Sequence, residues 1–186
     1  NRCSNPQVIV IADKIQLYPK AFYEKGLNIV TVPTTRNHTN AVNPAIKSLN
    51  YLNNILAKIE ATNAGCVEAI MLNHEGFVAE CTGDNVFMLK DDKMYTPPLA
   101  AGALHGITRG VAVDLAEANG VKVSEPNLTR YDLYNADEVF ITGTAAEVVP
   151  VVKIDGRQIG RGKPGKLTKK LMKAYQHLTN STGQAI

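Results

Sequence analysis

The chain has 186 residues and a formal net charge of +3, and its 45% hydrophobic and 20% charged residues are the proportions of an ordinary globular domain with a full core. It contains no basic block, no basic–aromatic alternation and no run of about 18 apolar residues, so it predicts neither a nucleic-acid surface nor a membrane span, and it shows no signal peptide. The three cysteines, Cys3, Cys66 and Cys81, lack CxxC spacing, which argues against zinc and favours a reduced, cytoplasmic setting.

The first third of the chain predicts two strands followed by a long helix. Residues 7–13 (QVIVIAD) and 27–32 (LNIVTV) are short β-branched runs, so each is predicted as a strand, and the polar segment 18–25 between them is ambiguous. A loop rich in Thr and Asn follows. The helix is predicted to begin at residue 46 and to end near Thr62, because the next residues include Gly65, which tolerates the left-handed conformation of a helix C-terminus.

The start of this helix combines an apolar stripe with two reactive side chains. The stripe consists of residues at helical spacing, namely Leu49, Leu52, Leu56 and Ile59. Lys47 and Tyr51 are four residues apart and therefore share a second face, roughly opposite the stripe. A lysine whose ammonium form is disfavoured by burial becomes a nucleophilic amine. A solvated lysine beside a surface tyrosine is the simpler interpretation of this pair taken alone.

The remainder of the chain predicts hairpins interspersed with helices. Strands are predicted at 67–72, 77–80, 86–89, 93–96, 121–123, 138–142 and 148–154, and helices at 107–119, 128–135 and 166–178. Residues 99–106 form a linker of small residues, and Val111, Leu115 and Ala118 are expected on the inner face of the helix that follows. Because strands outnumber helices and hairpins mix with helical crossovers, we predict an α+β fold with mixed sheets.

Four motifs occur in a fixed order over most of the chain. They are residues 47–52 (KSLNYL), 80–87 (ECTGDNVF), 104–109 (LHGITR) and 143–147 (GTAAE). Each alone has a simple structural explanation, such as a surface hairpin carboxylate for Glu80 or a turn glycine for Gly143. Together, in this order, they resemble the class IV (fold-type IV) pyridoxal-phosphate aminotransferases. This family includes branched-chain aminotransferases, D-amino acid aminotransferases and aminodeoxychorismate lyase.

The resemblance agrees with what pyridoxal phosphate needs from a protein. The cofactor needs an amine for its aldehyde, and Lys47 is the candidate. It needs an acidic partner for its pyridine nitrogen, and Glu80, at the end of a predicted strand, is the candidate. Residues 106–108 open a predicted helix, where free N–H groups and the helix dipole favour a phosphate. The turn at 143–146 offers backbone N–H groups to a substrate carboxylate.

The resemblance also implies a role for each matching residue. By resemblance, Lys47 forms a Schiff base with the cofactor, and its freed amine then moves a proton between the substrate Cα and the cofactor C4′. Tyr51 matches the tyrosine that hydrogen-bonds the ring oxygen, Glu80 matches the partner of the pyridine nitrogen, and Leu104 matches the apolar support of the ring. The matching phosphate ligands are Ile107, Thr108 and Thr144, and the matching substrate-carboxylate turn contains Ala145 and Ala146.

The resemblance further implies the mixed-sheet pseudo-barrel that forms the large domain of the D-amino acid aminotransferase-like fold. Residues 1–186 are therefore expected to form a single large cofactor-binding domain. The family's smaller N-terminal domain, which supplies an arginine to the cofactor phosphate, is expected to be absent from this chain, which starts at Asn1 without an initiator Met. A homodimer with active sites near the subunit interface is implied by the resemblance alone.

The turn at 143–146 (GTAA) is most similar to the branched-chain enzymes, since D-amino acid aminotransferases tend to have hydroxyl-rich residues there. The sequence therefore predicts transamination of branched-chain L-amino acids with 2-oxoglutarate. Residues 46–50 and 56–58 also look like the D-amino acid enzymes and the lyase, so both of those activities stay open. A hypothesis of another class is an inactive fragment that acts as a dimerising scaffold.

Two other patterns are rejected as functional sites. Residues 160–165 match GxGxxG, and residues 160–166 nearly match GxxxxGK[ST], but Leu167 stands where the second pattern needs a hydroxyl and no later strand completes a nucleotide fold. A glycine-rich connector is the better interpretation. The histidines show no metal-ligand spacing, so no metal site is predicted at His38, His74, His105 or His177.

Overall fold

The computed structural model describes residues 4–13 and 17–183. The helices are α1 (Lys20–Lys25), α2 (Leu52–Asn63), α3 (Ile107–Ala118), α4 (Arg130–Tyr134) and α5 (Lys166–Ser181). The strands are β1 (Leu27–Thr31), β2 (Ala69–Leu72), β3 (Val78–Cys81), β4 (Asn85–Lys90), β5 (Lys93–Tyr95), β6 (Val123–Ser124), β7 (Glu138–Gly143), β8 (Glu147–Ile154) and β9 (Arg157–Gln158). A 3₁₀ turn at Leu99–Ala101 precedes α3. Within the described ranges, no helix has both the length and the apolar character needed to cross a membrane.

The strands form one curled, mixed sheet. Its order is β3-β2-β1-β8-β7-β4-β5-β6, and β9 pairs with β8. Strand β1 runs parallel to both of its neighbours, whereas β7 runs antiparallel to β4 and β8. The Val78 amide of edge strand β3 donates to the Leu128 carbonyl, which follows β6 at the other edge, at 2.7 Å. The two edges thus approach each other, and the predicted α+β fold with a mixed-sheet pseudo-barrel is confirmed.

Each face of the sheet carries its own hydrophobic cluster. Phe140 of β7 stacks on Phe87 of β4 with ring centroids 4.8 Å apart, and Ala112 of α3 and Leu171 of α5 belong to the same cluster. Ile141 packs in the cluster on the opposite face, because successive side chains of a strand alternate between faces. Strand β7 is therefore buried on both sides and forms a rigid base for the turn that follows it.

The helix predicted from residue 46 begins six residues later, at Leu52. Short polar side chains explain the delay, because they bond to the local backbone and compete with helix formation. The Ala45 amide donates to Asn43 Oδ1 at 2.9 Å, and the Asn50 amide donates to Ser48 Oγ at 3.2 Å. Lys47 and Tyr51 therefore lie in the loop before α2, and the prediction that they share a helix face is wrong.

The predicted apolar stripe lies at the surface of the chain, with Leu49 in the loop before α2 and its other members on α2. Its members are between 47% and 101% exposed, namely Leu49, Leu52, Leu56 and Ile59. The buried residues of α2 are instead Asn54, Ala57 and Ala61. Ala57 and Ala61 pack against β2 in a third small cluster, since small side chains allow a helix to approach a sheet closely. The larger aliphatic side chains are left facing outward.

The strand predicted at 7–13 is wrong. The run has no regular structure, and the side chains from Val8 to Ile11 are 79–91% exposed. A strand needs a partner for its backbone N–H and C=O groups. None of the nine strands in the described part of the chain pairs with this run, so its β-branched residues have no sheet to join there.

The other predicted elements are confirmed to within a few residues, and α1 occupies the segment left ambiguous. The inner face of α3 differs in detail from the prediction. Its buried residues are Thr108, Arg109, Ala112 and Ala116. Val111 and Leu115 are only partly buried, and Ala118 is exposed. Small and polar residues on the inner face bring the start of α3 close to the site described next.

Candidate active site

One cavity of about 500 Å³ collects residues from all four motifs. It lies where the loop before α2, the β3–β4 turn, the start of α3 and the turn after β7 meet. Eight of the nine residues predicted for the site line it, namely Lys47, Tyr51, Glu80, Leu104, Ile107, Thr108, Thr144 and Ala145. The ninth, Ala146, is 1% exposed and packs in the hydrophobic core. The fold thus gathers side chains that are far apart in the sequence into one concave site.

Glu80 is buried at the wall of this cavity and its carboxylate accepts three hydrogen bonds. Arg36 Nη2 donates to Oε1 at 2.5 Å. The Leu104 amide and Asn85 Nδ2 donate to Oε2 at 2.9 and 3.2 Å. Burial raises the pKa of the Glu80 carboxyl above its ordinary value, and Arg36 and the Leu104 amide oppose that rise. These donors hold the carboxylate in one orientation.

Arg36 is a site residue that no sequence motif predicts. Besides Glu80, its guanidinium donates to the Gly102 carbonyl at 3.1 Å and to Asn54 Oδ1 at 2.8 Å. It therefore joins the loop after β1 to α2 and to the linker before α3. No local pattern could have marked it, because these partners lie 66 and 18 positions away along the chain. An arginine in a loop rich in Thr and Asn looks like a solvated residue.

Lys47 and Tyr51 reach the cavity from the loop before α2. The Tyr51 hydroxyl donates to the Thr82 carbonyl at 3.1 Å. Burial and the charge of Glu80 raise the pKa of Tyr51, so its phenol stays protonated at neutral pH and remains a donor. The Lys47 ammonium is close enough to Glu80 to contribute a small lowering of the pKa of that carboxyl. An amine and a carboxylate thus face the same cavity.

Two motif glycines allow the side chains of the β3–β4 turn to reach the other motifs. A β-carbon on Gly143 would overlap Asp84 Oδ1, and a β-carbon on Gly106 would overlap Asn85 Oδ1. Asn85 also donates to the Leu104 carbonyl at 2.9 Å. Three of the four motifs are therefore in contact, and glycine stands at both positions because a side chain there has no room.

The N-termini of α3 and α5 differ in how they are capped. Among the described residues, no side chain caps α3, so the amides of its first turn can bind an anion at the cavity. At α5, the Glu138 carboxylate accepts from the amides of Leu167 and Thr168 at 3.2 and 2.8 Å. Glu138 thus occupies the position that an anion would take, which supports the rejection of residues 160–166 as a phosphate-binding loop.

Asp84 is a buried acid beside the turn after β7. It is 4% exposed, and the Tyr18 hydroxyl donates to its Oδ2 at 3.2 Å. Burial and the negative charge of Glu68 raise the pKa of Asp84 to about 7. Asp84 has no distinguishing feature in the sequence, because the burial of an aspartate in a turn depends on residues far away in the chain.

The histidines do not form a metal site in the described part of the chain, where no group of three or more His, Cys, Asp or Glu side chains could hold a metal ion. His105 lines the cavity. His38 and His74 are exposed and pack against each other with ring centroids 4.4 Å apart.

The chain belongs to the class IV aminotransferases, since the family model "Amino-transferase class IV" matches residues 1–154. The matched span includes all four motifs and every residue predicted for the site. The family resemblance derived from those motifs is confirmed.

Several known proteins that are similar to this chain are named as branched-chain aminotransferases. A Methanocaldococcus jannaschii protein assigned as a branched-chain-amino-acid aminotransferase is 46% identical over 98% of this chain and 62% of its own length. The branched-chain-amino-acid aminotransferase of Pseudomonas aeruginosa is 45% identical over 87% of this chain and 53% of its own length. This chain thus spans about half to three fifths of the length of these relatives.

Solved structures agree with the sequence relatives. The branched-chain amino acid aminotransferase of Escherichia coli superposes with a TM-score of 0.84 at 39% identity, over 86% of this chain and 53% of that chain. A second branched-chain amino acid aminotransferase, from T.th., is complexed with N-(5′-phosphopyridoxyl)-L-glutamate. It superposes with a TM-score of 0.81 at 41% identity, over 83% of this chain and 52% of that chain.

Proposed function

We propose that this chain is the cofactor-binding part of an aminotransferase that moves the amino group of branched-chain L-amino acids to 2-oxoglutarate with pyridoxal 5′-phosphate. The observation that carries the proposal is the shared cavity, which Lys47, Glu80 and the N-terminus of α3 all line. The names of relatives at 45–46% identity support the substrate class.

The residues present fit the chemistry of this cofactor. A cavity of about 500 Å³ is of the size that holds small ligands. The amine of Lys47 suits the aldehyde, and the buried carboxylate of Glu80 suits a protonated pyridine nitrogen. The uncapped first turn of α3 suits the phosphate. The phosphopyridoxyl ligand named for the T.th. relative supports the same choice.

When bound, pyridoxal phosphate supplies an aldehyde for the substrate amine and a ring that withdraws electrons from Cα. Lys47 would hold the cofactor covalently, and its Nζ would carry the proton that moves during amino transfer. Glu80 would keep a proton on the pyridine nitrogen, and Arg36 already fixes that carboxylate at 2.5 Å, so it needs no reorganisation. Tyr51 would turn its single hydroxyl hydrogen from the Thr82 carbonyl to the ring oxygen, and its raised pKa keeps that hydrogen in place.

The remaining roles follow the cavity lining. Leu104 would support the ring, and the phosphate would be held at Ile107, Thr108 and Thr144. The turn after β7 would bind the substrate carboxylate through the amides of Ala145 and Ala146. That role needs the backbone of Ala146 and is compatible with the burial of its methyl group.

We also propose that the protein is a homodimer. The stripe of α2, defined by Leu49, Leu52, Leu56 and Ile59, is an exposed run of aliphatic side chains, and exposed apolar patches mark interaction surfaces. The stripe begins next to Lys47 and Tyr51 in the chain. A second copy is the occupant that fits, because the family resemblance implies active sites near a subunit interface.

Amino transfer by the full-length protein tests the function. L-leucine and D-alanine serve as amino donors, and aminodeoxychorismate is offered separately as a lyase substrate. Lys47→Ala is the variant and Lys163→Ala, an exposed lysine, is its matched control. We expect turnover of leucine with 2-oxoglutarate, loss of turnover by orders of magnitude in Lys47→Ala, and no loss in the control. Turnover of D-alanine without leucine would contradict the branched-chain assignment.

Borohydride reduction in the presence of pyridoxal phosphate tests the attachment site independently of turnover. Intact mass and peptide mapping should show one pyridoxyl phosphate group on Lys47 in the wild type and in Lys163→Ala. Lys47→Ala should stay unlabelled. A wild-type protein that takes up no label and turns over no donor would support the inactive scaffold instead.

A further inference from the structure

Thr142 carries a buried hydroxyl that has no hydrogen-bond partner in the described part of the chain. It is the last residue but one of β7 and is 1% exposed. Its Oγ1 contacts neither a donor nor an acceptor there. Leaving such a group unpaired costs free energy, and native proteins pair nearly all of them. The atom therefore calls for an explanation.

The other buried threonines behave differently. In the described ranges, four further threonines are buried, and each hydroxyl has a partner. These pairs are Thr82 with Glu68, Thr96 with the Val86 carbonyl, Thr168 with Glu138, and Thr108 with Tyr175 at 3.4 Å. Buried threonine hydroxyls in the described ranges are therefore hydrogen-bonded, with the exception of Thr142. This exception lies near the end of β7, beside the cavity.

The position of Thr142 relates it to the start of α3. Side chains alternate along a strand, so Thr142 shares the face of β7 with Phe140, which packs in the cluster that α3 and α5 cover. Across the sheet its register partner is Asn85, whose side-chain amide is already committed to Glu80 and the Leu104 carbonyl. Thr142 lines the same cavity as Ile107 and Thr108.

Several hydrogen-bond donors line the same cavity as this hydroxyl. The first-turn amides of α3 have no side-chain cap among the described residues, and Thr108 and Thr144 add hydroxyls to the same cavity. A helix N-terminus with several further donors attracts an anion. The unpaired hydroxyl of Thr142 is an independent sign that a ligand completes this corner of the cavity.

We propose that Thr142 Oγ1 donates a hydrogen bond to the anionic group bound at the N-terminus of α3. This inference rests on the function proposed above, in which that group is the phosphate of the cofactor. The inference adds a strand residue to the donors of the phosphate site. Strand β7 supplies Thr142, α3 supplies its first-turn amides and Thr108, and the turn after β7 supplies Thr144.

The test compares Thr142→Val, which keeps the shape and removes the hydroxyl, with Thr142→Ser, which keeps the hydroxyl. Dissociation constants are measured by absorbance titration of the cofactor-free, full-length protein with pyridoxal phosphate and with pyridoxal, which lacks the phosphate. We expect Thr142→Val to bind pyridoxal phosphate about tenfold more weakly, the effect of one hydrogen bond to a charged oxygen. Thr142→Ser should stay close to the wild type, and pyridoxal should bind all three proteins equally.

Thermal unfolding without cofactor separates a binding role from a structural one. Because valine removes an unpaired buried hydroxyl, cofactor-free Thr142→Val should unfold at or above the wild-type temperature. A hydroxyl that held the fold together would instead make the valine variant less stable, and that result would overturn the inference.

Three titration results would also overturn the inference alone: equal affinity of wild type and Thr142→Val for pyridoxal phosphate, a loss that serine does not restore, or an equal loss for pyridoxal. A different result would overturn the proposed function and this inference with it, namely a folded wild-type protein that binds neither compound. The two failures are therefore distinguishable.

Discussion

At the scale of single residues, buried polar side chains determine the shape of the site. Arg36 and Glu80 are 6% and 5% exposed and form an ion pair at 2.5 Å. Such a pair adds little stability over apolar residues, but removal of one partner leaves an uncompensated buried charge. The pair is therefore best understood as a device that orients the Glu80 carboxylate.

Arg36→Met should destabilise the protein by about 3–5 kcal/mol, because it leaves the Glu80 charge buried without its ion-pair partner. The double variant Arg36→Met/Glu80→Gln should lose less than the sum of the two single variants. Urea unfolding at pH 7 measures these free energies of unfolding. The control is Arg161→Met at an exposed position, whose stability should lie within about 0.5 kcal/mol of the wild type. Strictly additive losses would show that the two side chains are not coupled.

Asp84 predicts a dependence of stability on pH. Its pKa is about 7 in the folded protein and 3.8 ordinarily, so between about pH 4 and pH 7 the folded state binds more protons than the unfolded state. The contribution of Asp84 to stability therefore falls as pH rises through that window. Asp84→Asn removes this titration. Its free energy of unfolding relative to that of the wild type should therefore rise by about 2 kcal/mol between pH 5 and pH 8.

Denaturant unfolding at several pH values checks this expectation. The matched control is Asp114→Asn, an exposed aspartate on α3, which should follow the wild-type curve. If the curves of wild type and Asp84→Asn ran parallel, the buried carboxyl could not be the titrating group.

At the scale of secondary-structure elements, two helices that pack in the same hydrophobic cluster serve different purposes because of what meets their N-termini. Helix α3 begins at the cavity without a side-chain cap. Helix α5 begins beside Glu138 of β7, whose carboxylate accepts from two amides of α5 and from the Thr168 hydroxyl at 2.6 Å. The N-terminus of α3 is therefore available to a ligand, whereas the N-terminus of α5 is held by hydrogen bonds to Glu138 of β7.

Glu138→Ala should therefore destabilise the protein by about 1–2 kcal/mol, the range for the loss of a helix N-cap. Glu138→Gln keeps one acceptor oxygen and should therefore lose less stability than Glu138→Ala. Urea unfolding followed by circular dichroism measures the effect, with the exposed Glu117→Ala of α3 as the control. Wild-type stability in Glu138→Ala would mean that water caps α5 equally well.

At the scale of the whole molecule, the stripe of α2 is one apolar surface that the described chain leaves uncovered. Its aliphatic side chains are at least 47% exposed, and the helix buries its alanines instead. That arrangement costs little within a subunit but exposes apolar surface to water. Association with a second copy would remove that cost.

Leu52→Lys/Ile59→Lys should convert the proposed homodimer into a monomer, because two charges would have to be buried at the interface. Light scattering coupled to size-exclusion chromatography measures the mass. Tyr131→Lys is the control, since Tyr131 is 73% exposed and lies outside the stripe. A wild-type protein that is monomeric at high concentration would refute the dimer directly.

The sequence by itself determined the family, the fold class, most strands and helices, and eight residues that line one cavity. These follow from local patterns, since a motif or an alternation of apolar residues lies within a few positions of the chain. That a single domain spans residues 1–186 stays a prediction.

The tertiary structure alone decided what depends on distant partners. It brings Arg36 to Glu80 and buries Asp84, because the order of strands in the curled sheet sets which loops meet. It leaves residues 7–13 without a strand to pair with in the described chain, and it turns the alanines of α2 inward. Periodicity shows that a helix has an apolar stripe, but only the packed neighbours determine which face is buried and which is left for a partner.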